Sequence, residues 1–132
     1  TKNVSELIDL DVVKRGGPAT ATSRIMTVVL EGELDRADTE DVISMLGRLS
    51  SDGVTEVVVD FSNVSHLDYR GVRPLVRRAG VLRELGGDLK LAGLSPYLHA
   101  IFRSAGAHDA FDYFVASDEA VRSFERGVLV YG

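Results

Sequence analysis

Residues 54–61, VTEVVVDF, constrain the fold more than any other stretch of the chain. Successive side chains of a strand point to opposite faces of its sheet. Three valines in a row, Val57, Val58 and Val59, therefore put branched apolar groups on both faces at once. A strand with one wet face would alternate apolar and polar residues. This one belongs in the centre of a sheet covered on both sides.

Segments of helical and strand periodicity alternate around it. IMTVVLEGEL, 25–34, has the β-branched core of a strand. Asp38 or Thr39 is the expected cap of a helix carrying Val42, Met45, Leu46 and Leu49, which SSDG ends. Val72, Leu75, Val76, Ala79, Leu82 and Leu85 recur every three or four residues and draw one apolar helix face, stopped by Gly86-Gly87. DLKLAGL, 88–94, is the next strand. SPYLHAIFRSAG, 95–106, has Ser at the N-cap, Pro at the first helical position and Gly past the end.

Phe111–Val115 is a short strand, and 117–127 a last helix with acids in its first turn and Arg in its last. At the other end, Asp9–Lys14 is expected as a short edge strand, 15–23 as a loop, and the tail VLVYG as a strand or extended arm. The alternation implies an α/β domain with parallel crossover connections.

Composition removes several function classes. The chain has 132 residues, enough for one domain with its own core. It contains no cysteine, which excludes thiol catalysis, disulfides and cysteine-held zinc. A net charge of −5 argues against a general nucleic-acid binder. No apolar run approaches the ~18 residues of a membrane span, and TKNVSELIDL lacks the layout of a signal peptide. A cytoplasmic protein with no membrane insertion is expected.

SNVSHLDYRG, 62–71, follows the central strand as a short polar loop, where open α/β sheets place ligands. Ser65, His66 and Asp68 do not make a triad. Neighbours in an extended segment face opposite ways, and no G-x-S-x-G elbow exposes a serine. His66 with Asp68 lacks a third metal ligand, so no metal site is expected. Phosphate-binding glycine motifs are absent, and no cofactor or enzymatic activity is implied.

Arg70, Arg73 and Arg77, flanked by Arg78, form a basic stripe opposite the apolar helix face. Arg70 and Arg73 crowd the positive end of the helix dipole, an unfavourable placement that hints at a functional surface. Pro74 suits a first turn, so the helix should start near Gly71.

Taken together, GELDRADTED, VVVDFSNVSHLDYRG and ELGGDLKLAGLSPYLHAIFRSAG resemble a STAS domain of the kind found in bacterial anti-sigma factor antagonists. G-E-L-D after a strand, D-x-S-x-V-x-x-x-D before the loop, then G-G-x-L and S-P carry the likeness over about residues 25–125. The resemblance implies a single STAS-like domain across 1–132, a mixed β-sheet packed with about four α-helices. It implies binding to an anti-sigma factor, of the serine kinase type, in a partner-switching system.

The family pattern at the loop is Asp-Ser-x-Gly with a phosphorylated serine. Asp68 and Gly71 match, whereas Tyr69 stands at the serine position and Arg70 follows. Phosphorylation of a serine there is excluded. Ser62 is expected to face into or along its strand, leaving Ser65 as the substitute to consider. The implied partner surface comprises Asp35, Asp68, Tyr69, Arg70, Gly71 and Arg73. The alternative is a ligand-binding or transporter-associated STAS module, with a small anion at the helix N-terminus and Arg70.

Overall fold

The valine run does stand at the centre of the sheet. A computed structural model describes residues 1–14 and 21–126. Among these, five strands lie in the order β1 (Val4–Lys14), β2 (Ala21–Leu34), β3 (Glu56–Leu67), β4 (Asp88–Ala92) and β5 (Tyr113–Phe114). β1 runs antiparallel to β2, and the pairs β2–β3, β3–β4 and β4–β5 are parallel. The helices are α1 (Arg36–Ser51), α2 (Val72–Glu84), α3 (Pro96–Ser104) and α4 (Ser117–Arg126). The sheet is mixed and the class α/β.

Alternation along β3 divides the core in two. Val57, Val59 and Phe61 pack with Val42 and Leu46 of α1, Leu75, Ala79 and Leu82 of α2, and Leu98 and Phe102 of α3. Val58, between them, joins Ile25, Ala92 and the α4 residues Ala120 and Phe124 in a separate cluster. All three valines are fully buried, each contributing roughly 1.5–3 kcal/mol of apolar transfer before entropy is charged against it.

Several boundaries differ from the sequence reading. β1 starts at Val4, because buried Asn3 donates from Nδ2 to the carbonyls of Glu31 (2.9 Å) and Glu33 (3.1 Å) and fastens the strand early. β2 begins at Ala21, inside the expected loop; residues 15–20 of that loop, and the tail 128–132, lie outside the described residues. β4 ends at Ala92 and β5 shortens to two residues, with Phe111 buried in the core. α4 covers Ser117–Arg126, and position 127 of the expected helix lies outside the described residues.

The larger correction is β3, which continues through the expected polar loop to Leu67. Pairing with β2 advances from Val29↔Asp60 to Glu31↔Asn63, and from Gly32↔Val64 to Glu33↔His66. Each step adds one residue to β3, the signature of a bulge. Buried positions consequently fall at Phe61, Val64 and Leu67, a spacing of three that hides the strand's period of two.

α2 starts at Val72, directly after a 3₁₀ turn over Tyr69–Gly71, with Pro74 in its first turn as expected. Val72, Leu75, Ala79 and Leu82 are buried, but Val76 is only half-buried. Ser95 caps α3, accepting a hydrogen bond from the Leu98 N–H at 3.1 Å, and Pro96 is its first residue.

Candidate functional site

Because β2 and β3 are parallel, their carboxyl ends emerge side by side. Leu34 pairs with Leu67, and the Asp68 N–H donates to the Leu34 carbonyl at 2.9 Å. The next residue of each chain segment is an aspartate that caps a helical turn.

Asp35, not Asp38 or Thr39, caps α1. Its carboxylate accepts from the Asp38 N–H at 2.8 Å, and the Asp38 carboxylate accepts from the Asp35 N–H at 3.0 Å, a reciprocal capping box. The Asp35 N–H, helped by Lys2, holds the Asp38 carboxyl below its ordinary value. Asp68 caps the 3₁₀ turn in the same manner, accepting from the Arg70 N–H at 3.0 Å.

Arg70 also folds its side chain back onto Asp68, donating from Nε at 3.1 Å and Nη2 at 2.7 Å. These side-chain bonds first, and the backbone bond second, lower the Asp68 carboxyl to about 2, and Arg70 is raised in turn with a contribution from Asp35. The basic start of the helix is therefore compensated: Arg70 is neutralised by its own cap. Arg73, in the first turn of α2, donates to the carbonyl of Ala105 at 3.3 Å. That residue caps the carboxyl end of α3, the negative end of a helix dipole. The placement that sequence rules marked as costly is offset at both arginines, locally by Asp68 at Arg70 and by a tertiary partner at Arg73.

Gly71 is buried, so it is not part of an exposed surface. It lets α1 approach: a Cβ there would lie 2.8 Å from Thr39 Oγ1 and 2.9 Å from Thr39 Cβ and Cγ2. Thr39 is itself held by donation from Oγ1 to the Asp35 carbonyl at 3.1 Å. The structure thus brings Asp35, Asp68, Tyr69, Arg70 and Arg73 to one end of the sheet, with Gly71 as the spacer beneath them.

Tyr69 projects from this end, 63% exposed, and divides two hollows. One, of about 640 Å³, lies against α3 and is lined by His66, Tyr97, Ile101 and Ser104. The other, of about 820 Å³, lies between α1 and α2 and is lined by Arg36, Glu40, Ile43, Pro74 and Arg77. Sequence reasoning missed the α3 wall. Tyr97, Ile101 and Ser104 recur at spacings of four and three along one helix face, a signal present in the chain but not used.

Two of the three residues rejected as a triad, His66 and Asp68, have other partners. His66 Nδ1 and the Tyr97 hydroxyl are hydrogen-bonded at 2.6 Å, and Asp68 is committed to Arg70. Ser62 is exposed rather than turned inward, its hydroxyl donating to Asp60 at 2.6 Å; Ser65 is exposed as well. Among the described residues no group of three His, Asp or Glu side chains is placed to hold a metal ion. His99 and His108 pair with each other at 3.2 Å.

Comparison with known proteins adds the family. The STAS domain model matches residues 18–120. BtrV of Bordetella bronchiseptica, a candidate anti-sigma factor antagonist, is 24% identical over 101 residues, 76% of this chain and 87% of that protein. Among solved structures, the anti-sigma factor antagonist SpoIIAA in its unphosphorylated form superposes with a TM-score of 0.67 at 21% identity, covering 89% of this chain and 97% of the other. A serine-to-glutamate variant of RsbS from Moorella thermoacetica gives 0.70 at 16% identity, covering 96% and 100%.

Proposed function

The chain belongs to the STAS domain family, and from that premise we propose that it is an anti-sigma factor antagonist. It binds an anti-sigma factor of the serine kinase type and so frees the sigma factor which that protein holds. Its binding face is the sheet end carrying Asp35, Asp68, Tyr69, Arg70 and Arg73, supported by Gly71. The observation that carries this reading is Tyr69, a large aromatic side chain standing 63% exposed between two hollows at the joint carboxyl ends of β2 and β3. Exposed aromatic rings flanked by concave surface are typical interface anchors.

Tyr69 occupies the position where the family carries its phosphorylated serine, so a serine-directed kinase cannot use that position to switch binding off. A phosphate there would add ~1.5–2 negative charges in the middle of the surface. With a tyrosine in place, control passes to expression level or to a competing protein. The protein acts as a binding module of one domain over residues 1–132, in the cytoplasm. Among the described residues no helix is long and apolar enough to cross a membrane. The anion-binding alternative is less well supported, since the cation it would use, Arg70, is already bound to Asp68.

Isothermal calorimetry against purified serine-kinase anti-sigma factors, followed by transcription with the cognate sigma factor and RNA polymerase, tests the proposal. Saturable binding and restored transcription are expected. Failure to bind any of them, with the protein folded, would overturn it.

A further inference from the structure

The hollow between α1 and α2 does not end at the sheet edge. It shares Ile43, Pro74 and Arg77 with a second hollow of about 250 Å³ that reaches Arg78 and Val81, so the two form one trough along both helices. From Arg73 to Val81 the trough runs eight residues of α2, about 12 Å at 1.5 Å per residue, the length of two helical turns.

Its chemistry contrasts with the rest of the chain. The protein carries a net charge of −5, yet among the described residues five arginines (36, 70, 73, 77 and 78) line the trough against one carboxylate, Glu40. Arg36 is paired with Glu40 at 3.3 Å and Arg70 with Asp68 at 2.7 Å. Arg77 makes no ion pair or hydrogen bond among the described residues. Arg78 lies against α1 at Gly47, and its Nε is removed from solvent with no hydrogen-bond partner among the described residues. Between these cations the floor is apolar: Ile43 and Pro74 are half-buried, and Val81 is 40% exposed.

We propose that this trough seats an acidic amphipathic helix of the partner protein, its apolar face on Ile43, Pro74 and Val81 and its carboxylates against Arg73, Arg77 and Arg78. Helices dock into grooves by such an apolar stripe, and carboxylates match guanidinium groups in bidentate geometry. The inference rests on the antagonist reading for the existence of a protein partner, and adds which face that partner covers and with what charge. Anti-sigma factor binding would then extend from Tyr69 along α2, well beyond the phosphoserine position.

The test uses the full chain and two stapled 14-residue helices. Both carry leucine at every third or fourth position, one with glutamate on the remaining face and the other with lysine. Amide resonances of Ile43, Arg77 and Val81 are followed by NMR during titration. Saturable shifts with the glutamate helix alone are expected, weakened at least tenfold by Arg77→Glu and by raising salt from 50 to 500 mM. No saturable shift, equal response to the lysine helix, or preferential binding of a single-stranded oligonucleotide to the same amides would overturn the proposal. If the glutamate helix fails while an anti-sigma factor binds in calorimetry, only the trough assignment falls. Binding of the helix where every anti-sigma factor fails removes the antagonist reading and leaves the trough standing.

Discussion

Gly71 and Thr39 are in contact so close that a single methyl group would separate them. The Cβ of an alanine at position 71 would sit 2.8 Å from Thr39 Oγ1. The backbone there is ordinary (φ −80°, ψ −14°), so the restriction is steric rather than conformational. It joins the start of α1 to the turn bearing Tyr69, and so sets Asp35 and Arg70 at one surface. Gly71→Ala should destabilise the fold by about 1–3 kcal/mol through overpacking. Thr39→Ala in the same chain removes two of the three crowding atoms and should recover part of the loss. Denaturant titration of the two single variants and the double variant measures the coupling; additive effects would place the contact elsewhere.

The Asp68–Arg70 pair makes a prediction in acid. The carboxyl is lowered to about 2 from 3.8, chiefly by the Arg70 side chain and then by the Arg70 N–H. A depressed carboxylate contributes stability that is present above its unfolded value and is lost as pH falls through about 2. In Arg70→Ala the backbone N–H remains, so the Asp68 value should rise yet stay below 3.8. Carbon-detected NMR of the carboxylate follows both titrations. An unchanged value in the variant would mean that the side-chain bonds do not form in solution.

Burial separates two substitutions that the sequence alone would rank together. Val58 is fully buried between α4 and its neighbouring strands, whereas Val76 is half-buried on α2. Val58→Asp leaves an unpaired charge in the core and should abolish cooperative unfolding. Val76→Asp should destabilise but leave a folded domain, because its carboxylate can reach water. Circular dichroism melts of the two variants read the difference directly.

What could be read from the chain, and what could not, follows from range. The valine run of β3 and the three-and-four spacing of α2 are local patterns, and both elements lie where those patterns put them. The extension of β3 through Asn63 and His66 was hidden because two bulges break the strand's alternation. Asp35 is hard to read as the α1 cap because its box partner is Asp38, where glutamate or glutamine is the usual signal. His66 meets Tyr97 across 31 residues, and Arg73 meets Ala105 across 32. No periodicity reports such pairs. The Tyr69 turn lies outside the carboxyl end of a central strand as the sequence implies, whereas Arg70 is offset by the nearby Asp68 and Arg73 by a tertiary contact that only the fold shows.

His99 and His108 supply a second pH dependence. Their ring nitrogens are 3.2 Å apart, His108 stacks on Tyr113 at 4.5 Å, and His99 is half-buried near Arg103. Burial first, then His108 and Arg103, lower the His99 value below 6.5. The unfolded chain therefore binds the extra proton more readily, and stability present above about pH 6.5 should be lost as pH falls through the lowered value. Melting temperature should drop in the native protein as pH falls below about 6.5. His99→Phe, which keeps a ring beside Tyr113 without a proton site, should flatten that slope, and an equal slope would assign the acid sensitivity to other groups.

Tyr69 carries the decisive test of the proposed function. At 63% exposure it supports little of the core, so Tyr69→Ala should change stability by no more than about 0.5 kcal/mol. If it anchors the partner, the same substitution should weaken anti-sigma factor binding by about 2 kcal/mol, roughly 30-fold. Tyr69→Ser should bind weakly for the same reason, and in addition gain a phosphate when incubated with the kinase partner and ATP. The native protein should gain none, and Ser65→Ala should behave as native in binding and in phosphopeptide mass spectrometry. A stoichiometric phosphate on Ser65 of the native protein would restore an ordinary phosphoswitch just upstream, within β3. Unchanged affinity of both Tyr69 variants, together with Arg73→Ala, would make the sheet end a bystander and move the partner surface elsewhere on the domain.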